Sequence, residues 1–236
     1  MLSAEALRLV AIEALCPTEA IAGEIAFPTL AGRRVYDSKA APLEDLDRSS
    51  EDGTPVLSLY TLESGVKPRG LASADTDSVA SAVLEVIAEI AIVARDGGEE
   101  YADAAETDPE GRLVLAALCA QVRHCLMFSQ RGALWRKIVR QVEDIDQKTF
   151  AVPELGLRFQ RVNMRFHCSI RDDEFATAGG LPEPLASVFN QLSEQSYAKA
   201  KLQSLAGQFQ PAILPRLQGV DLNTNGPVHG AVVNFT

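Results

Sequence analysis

The chain has 236 residues, with 22 Lys and Arg against 32 Asp and Glu, and so a formal net charge of −10. An apolar fraction of 47% excludes intrinsic disorder as the main state, and 16 Gly with 12 Pro exclude collagen-like and low-complexity classes. The length supports a real hydrophobic core, in one large domain or two small ones.

Charge and cysteine usage narrow the partners. A strongly acidic surface repels a phosphate backbone, which argues against a nucleic-acid binder that works by counterion release. The basic clusters Arg158, Arg161, Arg165, Arg171 and Arg131, Arg136, Lys137, Arg140 read as solvated faces. Cys16, Cys119, Cys125 and Cys168 lack the short spacing of a disulfide framework, so they read as free thiols in a reducing compartment. Residues 1–14 show no charged segment followed by an apolar block, and no run reaches the roughly 18 apolar residues of a membrane span. The longest such run, Val83 to Ala94, is broken by Glu85 and Glu89. A soluble protein made in the cytosol is expected, with no membrane partner.

In chain order, Ser3 to Leu15 predicts an amphipathic helix. Ser3 is the expected N-cap, and Leu7, Val10, Ala11, Ala14 and Leu15 form one stripe. Cys16-Pro17 ends it, because the residue before proline avoids the helical region. Thr18 to Thr54 reads as a loop-rich segment with a short strand near Arg34 to Tyr36. Its acids Glu44, Asp45, Asp47, Glu51 and Asp52 form a solvated run. Val56 to Glu63 predicts a strand from its β-branched and aromatic content. Over Val83 to Arg95, Leu84, Val86, Ala88, Ile90 and Ile92 fall on one face at period 2, which favours a strand turned by Asp96-Gly97-Gly98.

Asp108-Pro109-Glu110 combines an N-cap, a first-position proline and a first-turn acid, predicting a helix to about Gln130. Its buried side would carry Leu115, Leu118, Val122, Cys125 and Leu126. A second short helix is expected over Ala133 to Val142. Arg158 to Arg171 is the clearest strand: Val162, Met164, Phe166, Cys168 and Ile170 alternate with Arg161, Asn163, Arg165, His167 and Ser169. A further helix is expected over about 185–203, opened by Pro182 and Pro184. From residue 206 the charge density falls and the chain ends on Ala231-Val232-Val233-Asn234-Phe235, a strand-like tip suited to packing on its own domain or to strand addition on a neighbour.

The sequence offers no catalytic motif, no cofactor motif and no metal signature. Cys119 and Cys125 lie about 240° apart around a helix, and His167 and Cys168 face opposite ways on a strand. There is no G-x-S-x-G elbow, G-x-G-x-x-G or G-x-x-x-x-G-K-[ST] loop. Cys168 is placed on the core face, where a thiol is inert.

The order of elements carries more information. The segments LRLVAIEAL, TPVLSLYTLE, LEVIAEIAIVARD, the Asp108-Pro109 helix and RFQRVNMRFHCSIRDDEF, together spanning residues 1–175, follow the pattern of an α+β fold. In that order the chain resembles the tail terminator proteins of long-tailed bacteriophages, of the lambda-like minor tail protein U type. The chain departs from that pattern in its acidic loop at 37–54, in an added helical segment at 176–205 and in an extended arm at 206–236. The resemblance implies a mixed or antiparallel sheet packed by a few helices. It implies a structural virion protein without enzyme activity or cofactor: a homo-oligomeric ring of about six copies. Such a ring caps the tail tube, meets the tube protein and the head-connector protein, and touches DNA only as a passing duplex. On this reading Arg161, Arg165, His167, Val232, Val233 and Phe235 are expected at subunit contacts. Glu44, Asp45, Asp47, Glu51 and Asp52 are expected on the partner or lumen face. Another neck adaptor, a small α+β enzyme using His167 or a cysteine, and a monomeric binding module are the competing expectations.

Overall fold

A computed structural model describes residues 1–42, 45, 54–68, 78–96, 99–104, 109–152, 157–176, 179–209, 220–221 and 232–233. Its centre is a six-stranded mixed sheet built from β1 (Val35–Asp37), β2 (Thr54–Pro68), β3 (Ser78–Asp96), β4 (Glu99–Ala104), β5 (Val139–Val152) and β6 (Leu157–Ile170). The strand order is β1-β2-β3-β6-β5, and β4 pairs with the far end of β3. β1 runs parallel to β2, and every other pairing in this sheet is antiparallel. The fold is α+β, as the sequence pattern predicts.

The period-2 readings of β3 and β6 hold where side chains are described, with Val162 half-buried; the side chain of Ile92 lies outside the described residues. Leu84, Val86, Ala88 and Ile90 of β3 and Met164, Phe166, Cys168 and Ile170 of β6 all lie on the core face. Both elongated strands are bracketed by partners, which is where β-branched and aromatic side chains pack best. β2 is longer than the predicted 56–63, and an irregularity between Thr61 and Glu63 shifts its register against β3. β4 was not foreseen. The Gly97-Gly98 turn expected before it lies outside the described residues, as does the expected N-cap Asp108.

Helix α1 (Leu2–Leu15) packs on β2 and β3. Beyond the predicted stripe, Ala4, Ala6, Leu9 and Ile12 are also buried. The reason is a third layer. Helices α5 (Leu185–Phe189) and α6 (Tyr197–Ala206) cover α1 from outside, and a helix covered on both sides is apolar nearly all round. The expected single helix over 185–203 is therefore two short ones. Leu185, Val188, Leu192, Ala198 and Leu202 join the same core as α1 and the sheet. Ser196 caps α6 and donates its hydroxyl to Glu13 of α1, Oγ to Oε2 2.7 Å, tying the two layers together.

The predicted cap of α1 is corrected. The helix starts at Leu2, and Ser3 lies inside its first turn. The cap comes from a part of the chain about 170 residues away: Asp173 accepts from Leu2 N at 2.8 Å, Ser3 N at 2.7 Å and Ser3 Oγ at 2.5 Å. A carboxylate on orphan N–H groups at a helix start also complements the helix dipole.

Helix α3 (Pro109–Arg123) continues into a wider π turn over His124–Phe128, two residues short of the predicted end. Over Gly111–Phe128 this helix is long and apolar enough to cross a membrane by length and composition, a stretch the sequence reading passed over. Its apolar side, Leu115, Leu118, Cys119, Val122, Cys125 and Leu126, is accounted for by burial in the core.

The expected helix over Ala133 to Val142 is replaced by a 3-10 turn (Gln130–Ala133), one turn of helix α4 (Trp135–Ile138) and the edge strand β5. Val139, Val142 and Ile145 are three apart, a helical spacing. In the structure they nevertheless stand opposite Ile170, Cys168 and Phe166 of β6, because register shifts between Val139 and Gln141 and between Val142 and Asp144 each insert one residue. Two bulges turned a period of 2 into a period of 3.

The C-terminal strand-like tip is observed only as an antiparallel pair within the arm, β7 (Val220–Asp221) with β8 (Val232–Val233). Phe235 lies outside the described residues.

Candidate functional site

Helices cover one face of the sheet. The other face carries a ladder of polar side chains, set there by the alternation of β3, β5 and β6. Glu85, Arg165 and Asp146 stand side by side across three strands, and Glu89 faces Arg161. Glu85 is only 6% exposed, and it accepts from Arg165 Nε at 2.9 Å and Asn163 Nδ2 at 3.3 Å. Arg161 Nε lies 3.2 Å from Glu89 Oε2, and His167 Nε2 lies 2.9 Å from Asp146 Oδ2. The three predicted interface residues of β6 thus share one face, as expected. Each is engaged by an acid of the same chain, so none of the three stands on that face without a carboxylate partner.

The Arg165 guanidinium is stabilised in its charged form, chiefly by the hydrogen bond to Glu85. The Asp146 carboxyl is held below its ordinary value, chiefly by the hydrogen bond from His167 and further by the Lys148, His167 and Arg165 charges. A carboxyl with a depressed pKa contributes its attraction above the ordinary carboxylate range. It loses it as pH falls through the lowered value.

Sequence reasoning missed Asp144 and Asp146 as neighbours of His167. The bulge at Glu143 is what aligns them: Val142 opposes Cys168 on the core face, yet Asp144, two residues on, opposes His167 on the polar face. The donor atoms of Asp144, Asp146 and His167 all lie within 4.8 Å of one another. The only sequence signal for this was the three-residue apolar spacing of β5, which also reads as helix.

Of the acidic run, Asp45 is the one described residue. It accepts a hydrogen bond from the Tyr36 hydroxyl of β1 at 3.0 Å. Burial, then that hydrogen bond, raise the Tyr36 hydroxyl pKa above its ordinary value. Glu44, Asp47, Glu51 and Asp52 lie outside the described residues.

The end of β2 is a second feature, on the opposite face, where Val66 stands beside the core residue Ala80. Leu62 to Lys67 are exposed, including Leu62 at 44% and Val66 at 40%.

A cleft of about 720 Å³ lies between the C-terminal end of α1, β1 and the start of α6. Ile12, Cys16, Ile21 and Val35 give it apolar walls, with Arg33 and Lys39 at its polar rim. Its acids are committed: Glu13 to Thr18 and Ser196, and Asp37 to Arg8 and Tyr197. Its one thiol, Cys16, is pushed up to about 11, chiefly by burial and also by Glu13.

The other cysteines are buried as well, as expected of inert core thiols. Burial pushes Cys119 up to about 11 and Cys168 up to about 12, and raises Cys125. Since the thiolate is the reactive form, native protein at pH 8 is expected to react negligibly with an aromatic disulfide reagent, and all four thiols are expected to react after unfolding in urea. Rapid labelling of any cysteine in the native state would contradict this packing.

Comparison with protein-family models, with curated proteins and with solved structures finds no match to this chain.

Proposed function

We propose that the protein is a structural component of a phage virion: a tail terminator whose copies form a closed ring on the end of the tail tube and present a docking face to the head connector. The observation that carries the reading is the division of the sheet. Helices pack on one face, while the other holds a self-neutralised ladder, Glu85 with Arg165 and Glu89 with Arg161, and the end of β2 leaves Leu62 and Val66 exposed on the helix-bearing face beyond the helices.

A cyclic assembly needs two different surfaces that meet between neighbours. A ladder whose charges are already paired within the subunit can be covered without leaving an uncompensated ion, which is the costly case at an interface. The exposed end of β2 supplies the area that neighbouring copies would remove from water. Arg161, Arg165 and His167 contribute shape and paired polarity to that contact, and the Val232–Val233 strand of the arm supplies a second. The net charge of −10 suits a channel through which a duplex passes without adhering. The tube protein and the head-connector protein are the partners, and the chemistry is assembly, with no reaction and no cofactor. The ring belongs in the virion neck, after synthesis in the host cytoplasm.

Negative-stain electron microscopy of the purified chain tests this reading. Annular particles with a central opening are expected, and loss of the annuli is expected when Leu62 and Val66 are both replaced by Asp. A field of small particles without openings would overturn it.

A further inference from the structure

We infer that Asp144, Asp146 and His167 form a binding site for a divalent transition-metal cation, with Zn2+ the best-fitting ion. This goes beyond the assembly role and does not depend on it.

The residue types come first. One imidazole and two carboxylates from adjacent strands are a donor set that suits zinc and its first-row neighbours. Calcium and magnesium call for an all-oxygen cage. The geometry is close to what the ion needs. Metal–ligand distances near 2.0–2.2 Å place the donors of a tetrahedral ion about 3.4 Å apart. His167 Nε2 and Asp146 Oδ2 are already 2.9 Å apart, and all three donors lie within 4.8 Å. Closing the remaining gap asks only for rotation of the exposed Asp144 side chain. One oxygen of Asp144 accepts from Ile145 N at 2.8 Å, which leaves the other for an ion.

A second observation points the same way. Asp146 Oδ1 is out of contact with solvent and accepts no hydrogen bond. A carboxylate oxygen withdrawn from water is ordinarily satisfied, and a cation bound by both Asp146 oxygens, Oδ2 beside His167 and Oδ1, would satisfy it. The Glu143 bulge is what aims Asp144 at His167, and bulges recur where a strand must re-aim a side chain at a site.

His167 Nε2 and Asp146 Oδ2 face each other at 2.9 Å, and a bound cation would sit against both, coordinated through the Nε2 lone pair. Arg165 and Lys148 lie near the Asp146 carboxylate and oppose a cation. Three protein ligands leave a fourth position open, filled by water.

Titration of the full-length chain with ZnCl2 by calorimetry, paired with Co2+ absorption as a report on the ligand set, tests the inference. One ion per chain is expected, with visible d–d bands of a tetrahedral Co2+ site. His167→Ala and Asp146→Asn, checked for an unchanged far-ultraviolet spectrum, are expected to weaken binding more than about 100-fold, since even supporting residues around a metal cost 10- to 100-fold. His124→Ala serves as the control and is expected to bind like the parent. Absence of saturable binding up to about 1 mM Zn2+ would overturn the site. So would affinity that survives both His167→Ala and Asp146→Asn.

Discussion

Phe166→Ala is expected to lose about 3–5 kcal/mol of stability, the range for removing a buried aromatic ring. Phe166 is fully buried on the core face of β6, opposite Leu84 of β3 and Ile145 of β5. Its ring meets that of Trp135 edge-on, with centroids 6.1 Å apart and planes at 76°. Such a pair adds favourable quadrupole geometry to the area removed from water. No neighbouring element can collapse into the gap, because β6 is held on both sides and α3 and α4 are anchored by their own buried residues. A domain with a total stability of about 5–15 kcal/mol would be left marginal. Urea unfolding followed by Trp135 fluorescence measures the loss. Ser169→Ala, on the other face of the same strand, is expected to stay within about 0.5 kcal/mol. Equal effects at the two positions would mean that the faces of β6 are assigned the wrong way round.

The second large effect is expected at Gly132, in the turn that follows the π turn of α3. The glycine is buried, and a methyl group placed there would overlap the Leu126 carbonyl oxygen and lie 2.5 Å from that of Cys125. Those carbonyls cannot step aside. Ser129 Oγ donates to Cys125 O at 2.8 Å, and Arg136 donates from Nη1 to Leu126 O at 2.9 Å and from Nη2 to Ser129 O at 2.8 Å. These bonds satisfy the orphan carbonyls at the end of the helix. Gly132→Ala must therefore shift backbone and break part of the Arg136 fork. A cost of about 3 kcal/mol is expected, at the upper end for overpacking. Gly207, where an added methyl meets nothing within 4 Å, is the matched control. A Gly132→Ala protein as stable as the parent would contradict the close approach of these two turns.

Both effects arise in elements that differ in how openly the sequence announces them. Phe166 belongs to a strand whose alternation is unbroken, and such a pattern can be read without any partner. The same holds for β3 and for the apolar stripe of α1. The breakdowns have a common physical origin in long-range contacts. Ser3 has the residue type of an N-cap, but an aspartate 170 positions away along the chain takes that role. Helix α1 looks one-sided because nothing in its own sequence announces that α5 and α6 will cover its back. Strand β5 is hidden by its bulges, which give Val139, Val142 and Ile145 the spacing of a helix. The same bulges conceal the polar cluster, since in a regular strand Asp144 would face the core. Of the candidate site, the polar face of β6 was therefore legible and its acidic partners on β5 were not.

The paired ladder also sharpens what assembly would require. Arg161 and Arg165 are neutralised by Glu89 and Glu85 within the same chain, so contacts built on this face in the proposed ring should depend weakly on salt. Contacts through Leu62 and Val66 should strengthen, if anything, at higher ionic strength, as apolar burial does in excluded salts.

The solution mass of the purified chain, measured by light scattering across concentration and salt, tests the ring most directly. The account predicts a particle of about six times the 25.4 kDa chain mass, persisting at high salt. A mass of 25.4 kDa at every concentration and salt would contradict it.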